Sequence, residues 1–198
     1  MLMKKYFILL IMAAVTSLVG AQTSILGLNF GSDYDVVYSQ LADRFGNASV
    51  TKLDGEHIQV KDFDYTIEDV KVNNITCTFS YIDGEHHLCS IAFTSEPYVL
   101  SYESDKNKIN DFNGYAVRVS NKLAVELNKK YKVSGVEKRI NTAKPWTTLY
   151  RFNVDENVTG VIAAYFNATK KLMLQNGTSF ARLTYTDSRY VKNKIDEL

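Results

Sequence analysis

The chain is predicted to be an α+β protein of two tandem units, each an amphipathic helix laid on an antiparallel sheet in two layers. Three observations predict it. Apolar residues recur at helical spacing twice, near residues 31–46 and again from Asp105 to Tyr131. Each helical stretch is followed by short segments that alternate apolar and polar side chains, the pattern of half-buried strands. The dipeptides Asp83-Gly84 and Asn176-Gly177 punctuate those segments as hairpin turns.

In chain order, residues 1–21 read as a secretory signal. Lys4 and Lys5 open it, Tyr6 to Val15 is almost wholly apolar, and Val19-Gly20-Ala21 supplies the small residues of a cleavage site. Cleavage after Ala21 leaves Gln22 as the new N-terminus. The apolar run falls short of the roughly 20 residues a spanning helix needs. The expectation is an exported, periplasmic or extracellular protein with no transmembrane segment in its mature chain. Lys4 and Lys5 leave with the signal and no acid does, so the formal charge falls by two from +1. A near-neutral chain has no concentrated basic patch for nucleic acid. Five Asn-x-Ser/Thr sequons, at Asn47, Asn74, Asn157, Asn167 and Asn176, are what an Asn- and Thr-rich chain makes by chance.

Residues 22–98 form the first predicted unit. Ser32 is placed as the helix N-cap with Asp35 three residues on, Val37, Leu41 and Phe45 make the apolar stripe, and Gly46 closes it. Strands follow at Ile58–Tyr65, at Val70–Tyr81 with a bend near Asn73-Asn74, and at His87–Thr94. Ile75, Cys77, Phe79 and Tyr81, with Cys89, Ile91 and Phe93 on the returning strand, are expected to face the core. Pro97 marks the junction.

Residues 99–198 form the second. Ile109, Phe112, Ala116, Val119, Leu123, Leu127 and Tyr131 step by three or four along one face of a long helix. Strands are expected at Val136–Ile140, Thr147–Asn153, Gly160–Phe166, Lys171–Leu174 and Ser179–Thr186. Asp187 is placed as the cap of a short last helix carrying Val191, Ile195 and Leu198.

Phe30-Gly31-Ser32 opening a helix, Val36 and Leu41 within it, Phe45-Gly46 closing it and hairpin strands after it resemble a set of small bacterial envelope proteins. These are the β-lactamase-inhibitor-protein-like folds and the small outer-membrane-assembly lipoproteins. The match covers residues 26–94, and the second half follows in outline. The resemblance implies a non-enzymatic, protein-binding role in the envelope. The cut after Ala21 is not followed by the Cys through which such lipoproteins are anchored.

Few residues point to chemistry. With a three-residue loop at the Asp83-Gly84 turn, Cys77 and Cys89 fall opposite each other, and an exported protein meets an oxidising compartment, so a structural disulfide is expected, with two buried thiols as the alternative. His57, His86 and His87 are the three histidines, but neighbours on a strand point to opposite faces and a metal wants converging ligands. Asp62 and Asp64, with Glu68 and Asp69 nearby, form the densest acidic group. On one strand face, Asp62 and Asp64 would suit an envelope hydrolase. No nucleophile elbow, phosphate loop, dinucleotide fingerprint or zinc-protease motif occurs, and no catalytic residue, metal or cofactor is assigned. Tyr34 and Tyr38, four apart on the first helix, and Tyr98 and Tyr102 in the junction are the candidate interaction surface, because exposed Tyr is favoured at interfaces. The leading reading is a non-catalytic protein- or ligand-binding module. The alternatives are the hydrolase and a structural protein that oligomerises through an open sheet edge.

Overall fold

The computed structural model describes residues 23–67, 69–100, 106–137, 144–171 and 174–191. The expected signal segment, Glu68, Tyr102, much of the Val136–Ile140 strand and residues 192–198 of the expected last helix lie outside them.

Half of the structure is strand. A small ribbon of β1 (Ser24–Ile25) and β2 (Leu28–Asn29) precedes helix α1 (Tyr34–Phe45). Then come β3 (Val50–Lys52), β4 (His57–Val60), β5 (Thr66–Ile67), β6 (Val70–Ile82), β7 (Glu85–Ser95) and β8 (Tyr98–Leu100). Helix α2 (Lys106–Leu127) leads to β9 (Ser134–Gly135), β10 (Trp146–Asn153), β11 (Val158–Lys171) and β12 (Leu174–Asp187). Ten strands form one sheet in the order β3-β4-β6-β7-β12-β11-β10-β9, with β5 attached to β6 and β8 to β12. Every described pairing is antiparallel.

This corrects the expected fold class. Tandem helix-plus-sheet units would leave two sheets; the chain instead builds one sheet-dominated fold with two described α-helices. The join is β7 to β12, where Thr94, Phe93, Ala92, Ile91 and Ser90 pair with Arg182, Leu183, Thr184, Tyr185 and Thr186. Two separate meanders would each expose an unpaired strand there, a template for unwanted association. Pairing them removes both edges and lets one core run beneath both halves. A single buried cluster accordingly holds Val37 and Leu41 of α1 beside Leu123 and Leu127 of α2, with Ile58, Ile75, Ile91, Ile162 and Leu183 from five strands between them.

Both helices lie on the same side of this sheet. Tyr34 of α1 packs on Phe79 of β6, with ring centroids 4.8 Å apart. Phe112 of α2 packs on Phe166 of β11 at 5.0 Å. Gly177 makes room for that contact: a Cβ there would stand 2.7 Å from the Phe112 ring and closer still to the Asn167 carbonyl oxygen. The glycine read as half of a hairpin turn is therefore inside β12, and Asn176-Gly177 pairs with Thr169 and Ala168 across the ladder. Close approach of a helix, and not chain reversal, is what the missing side chain serves. The two strands read at Gly160–Phe166 and Lys171–Leu174 are continuous through Lys171 as β11.

Local signals hold with small shifts. The α1 cap is Asp33, one residue past the expected Ser32, and its carboxylate accepts from the Asp35 backbone N–H at 2.8 Å. Asp83 and Gly84 both take positive φ, 53° and 90°, as a tight hairpin demands. The bend near Asn73-Asn74 is a register shift between Val72 and Asn74. Gly114 sits inside α2, which runs unbroken from Lys106. Asp187 caps a single 3-10 turn, Ser188–Tyr190. No described helix is long and apolar enough to cross a membrane.

Candidate functional site

Alternation along each strand gives the sheet a second face, turned away from both helices. Directly paired residues share a face, so the register defines this side row by row. Phe180 pairs with Tyr165 and Tyr165 with Trp146. The next row is Thr94, Arg182, Ala163 and Thr148. Beyond it lie Thr76, Ala92, Thr184, Val161 and Arg151, then Thr78, Ser90, Thr186 and Thr159. Neither described helix packs here, and most of these side chains keep partial contact with solvent.

The aromatic row is a closed cluster. Tyr165 and Phe180 stack at 4.6 Å and 15°, and the Trp146 ring meets them edge-on at 4.9 and 5.5 Å. The Arg182 guanidinium lies 4.5 Å over the Trp146 ring. Its Nε–H donates to Thr94 Oγ1 at 3.3 Å. Burial against the rings lowers the Arg182 pKa from its usual range. No described carboxylate forms an ion pair with it. Nor is any described side chain on this face of β10, β11 and β12 acidic. A half-buried cation on an aromatic ring, with N–H groups that no described side chain takes up, has the chemistry to receive an oxyanion. Sequence reasoning missed all four residues.

The residues singled out from the sequence are spread over other places. Tyr34 and Tyr38 come together beneath Lys52, whose Nζ stands 5.1 and 4.7 Å from their ring centres and bonds Asp35 at 2.6 Å. The Tyr34 hydroxyl donates to the Asp54 carbonyl at 2.7 Å, tying α1 to the β3–β4 loop, and burial raises its pKa. Tyr98 is elsewhere, on β8 beside Phe112 and Tyr115 under α2. The three described tyrosines therefore do not form one surface, and Tyr102 lies outside the described residues.

Cys77 and Cys89 are free thiols. The expected register, with the two opposite each other across a three-residue loop, is corrected twice: the turn is two residues long, with Ile82 paired to Glu85, and a bulge follows between Thr78 and Phe79. Cys77 pairs with Ile91, Phe79 with Leu88, and Cys89 is the extra residue. The bulge moves Leu88 into the core in place of Cys89 and turns the Cys89 thiol toward the Thr78 carbonyl, 3.3 Å away, and toward Ser80. Burial pushes the Cys77 thiol up to about 12 and raises that of Cys89 as well. Neither is poised as a thiolate. Tyr81, also expected in the core, is 52% exposed at the end of the hairpin.

The histidines diverge. His57 Nδ1 meets both Asp54 carboxylate oxygens at 2.9 and 3.0 Å. The His86 ring lies 5.0 Å from the Tyr81 ring, while His87 stacks on Tyr190 and contacts the Gly31 carbonyl. No group of three metal-ligating side chains occurs among the described residues. Asp62 and Asp64 are exposed in the loop after β4, and Asp62 takes a left-handed φ of 55°. They do not share the strand face expected of them, because the strand ends at Val60.

The fold and face together define a β-sheet protein with one helix-covered and one open side. Comparisons with protein-family models, with curated proteins and with solved structures find no match.

Proposed function

We propose that this chain is an exported, non-catalytic binding module that works through the open face of its sheet. The observation that carries the reading is the Arg182–Trp146 pair, a half-buried cation held over an aromatic ring without a described acidic partner. Folding alone gains little from leaving such a charge partly desolvated without a counter-charge. A partner that supplies the missing negative charge gives it a purpose. The signal-like N-terminus supports export, and the envelope resemblance, resting on residues 26–94, points the same way.

Trp146 is the sole tryptophan of the chain, so its fluorescence reports on this face alone. Acrylamide should quench it readily in the purified protein and less readily once envelope or culture-fluid fractions of the host are added. Equal quenching in every fraction would end the reading. Export has its own check: the mature protein recovered outside the cytoplasm should begin at Gln22.

A further inference from the structure

We infer that the ligand of this face is an acidic polysaccharide, with carboxylates received by Arg182 and Arg151 and sugar hydroxyls by the threonine rows. The inference rests on the binding-module reading and names its partner.

The first ground is charge. Arg182 and Arg151 are the two charged side chains described on this face of β10, β11 and β12, and both are positive. They stand two strands and one row apart, on the order of 10 Å by ordinary sheet spacings. One extended polyanion reaches both. A planar guanidinium donates paired N–H bonds to a carboxylate, and with Nε–H given to Thr94 the terminal Nη groups of Arg182, partly desolvated beside the Trp146 ring, are left for it.

The second ground is what the face lacks. An extended peptide binds a sheet mainly by adding main-chain hydrogen bonds at an edge. Here β7, β12 and β11 are interior strands, each paired on both sides, so those backbone groups are already used. Only side-chain groups are on offer: guanidinium, ring and hydroxyl. Thr148, Thr159, Thr184 and Thr186 present hydroxyls in neighbouring rows around the two arginines. Each hydroxyl both donates and accepts, which matches a polyhydroxylated chain better than a peptide. Nucleic acid would bring the negative charge as well, but two arginines on a near-neutral protein give little phosphate affinity.

The test is titration of the purified protein, read by Trp146 fluorescence, with polygalacturonate, its methyl ester, poly-glutamate and oligothymidylate. Polygalacturonate should bind and shift the emission, with affinity that falls as salt rises. The ester should bind at least tenfold more weakly. Arg182→Gln should lose at least tenfold and Arg151→Gln less. Arg182→Lys should recover only part, because it restores charge without the fork. Circular dichroism of each variant confirms that it is folded. Equal binding of the ester, or equal or tighter binding of poly-glutamate or oligothymidylate, overturns the polysaccharide assignment while leaving a binding face. Failure of polygalacturonate to bind overturns it too. The parent reading falls separately, when no host fraction shields Trp146.

Discussion

The two sides of one sheet are built from alternate residues of the same strands, yet they obey different rules. On β11, Ile162 is sealed under the helices and its neighbour Val161 faces the open side. On β12, Leu183 and Ala181 are buried while Thr184 and Arg182 look outward. The covered side is mostly apolar and tightly fitted, down to a glycine that admits a phenylalanine ring. The open side is mostly threonine, serine, alanine and arginine, with one aromatic cluster. Stability is concentrated on the first side. The second side is free to vary in chemistry without loss of the fold, and that freedom is what a binding surface needs.

The contrast is sharpest in a pair of neighbouring substitutions. Ile162→Asp puts a carboxylate into the core and should cost about 4 kcal/mol or more. Val161→Asp, one residue away, should cost about 1 kcal/mol or less. Urea unfolding measures both; similar losses would show that the outer side is covered as well. Next in size is Gly177→Val, expected to cost about 3 kcal/mol because the new side chain meets the Asn167 backbone as well as the Phe112 ring. If the variant is as stable as wild type, α2 does not press on β12 as described.

Smaller effects belong to the open side. Arg182→Ala should change stability by no more than about 1 kcal/mol, the worth of a partly exposed cation–π pair, while binding falls. At the rim, Asp54 is held below the usual carboxylate range by the Glu56 backbone N–H and then by His57. A lowered folded pKa adds stability that is present above the ordinary value and lost as pH falls through the folded one. Asp54→Asn should flatten that acid limb slightly, and a pH series of midpoints reads it.

Much of this was legible in the sequence. Both helices, the Asp83-Gly84 hairpin and the bend near Asn73-Asn74 follow from local signals. The joining of two halves into one sheet does not, because cross-strand pairing of β7 with β12 joins residues about ninety positions apart and leaves no local mark. The Cys77–Cys89 geometry leaves no local mark either: a two-residue turn in place of a three-residue loop, and then a one-residue bulge, shift every partner beyond them. The candidate face was hidden by an ambiguity in β12. Phe180, Arg182 and Thr184 alternate with Ala181, Leu183 and Tyr185, and each set contains an aromatic residue. Alternation alone does not say which set is inside. The register answers, by setting Phe180 beside Tyr165 and Trp146.

The difference between the sides can be read within a single molecule by thiol labelling. Unfolded without reductant, the wild-type protein should titrate as two thiols, Cys77 and Cys89. In folded Thr184→Cys, the introduced thiol on the open face should react with a maleimide within minutes. Cys77, buried and pushed up to about 12, should wait for unfolding. If the thiol introduced in place of Thr184 is as slow as Cys77, the outer side is shut off from solvent and the binding face does not exist.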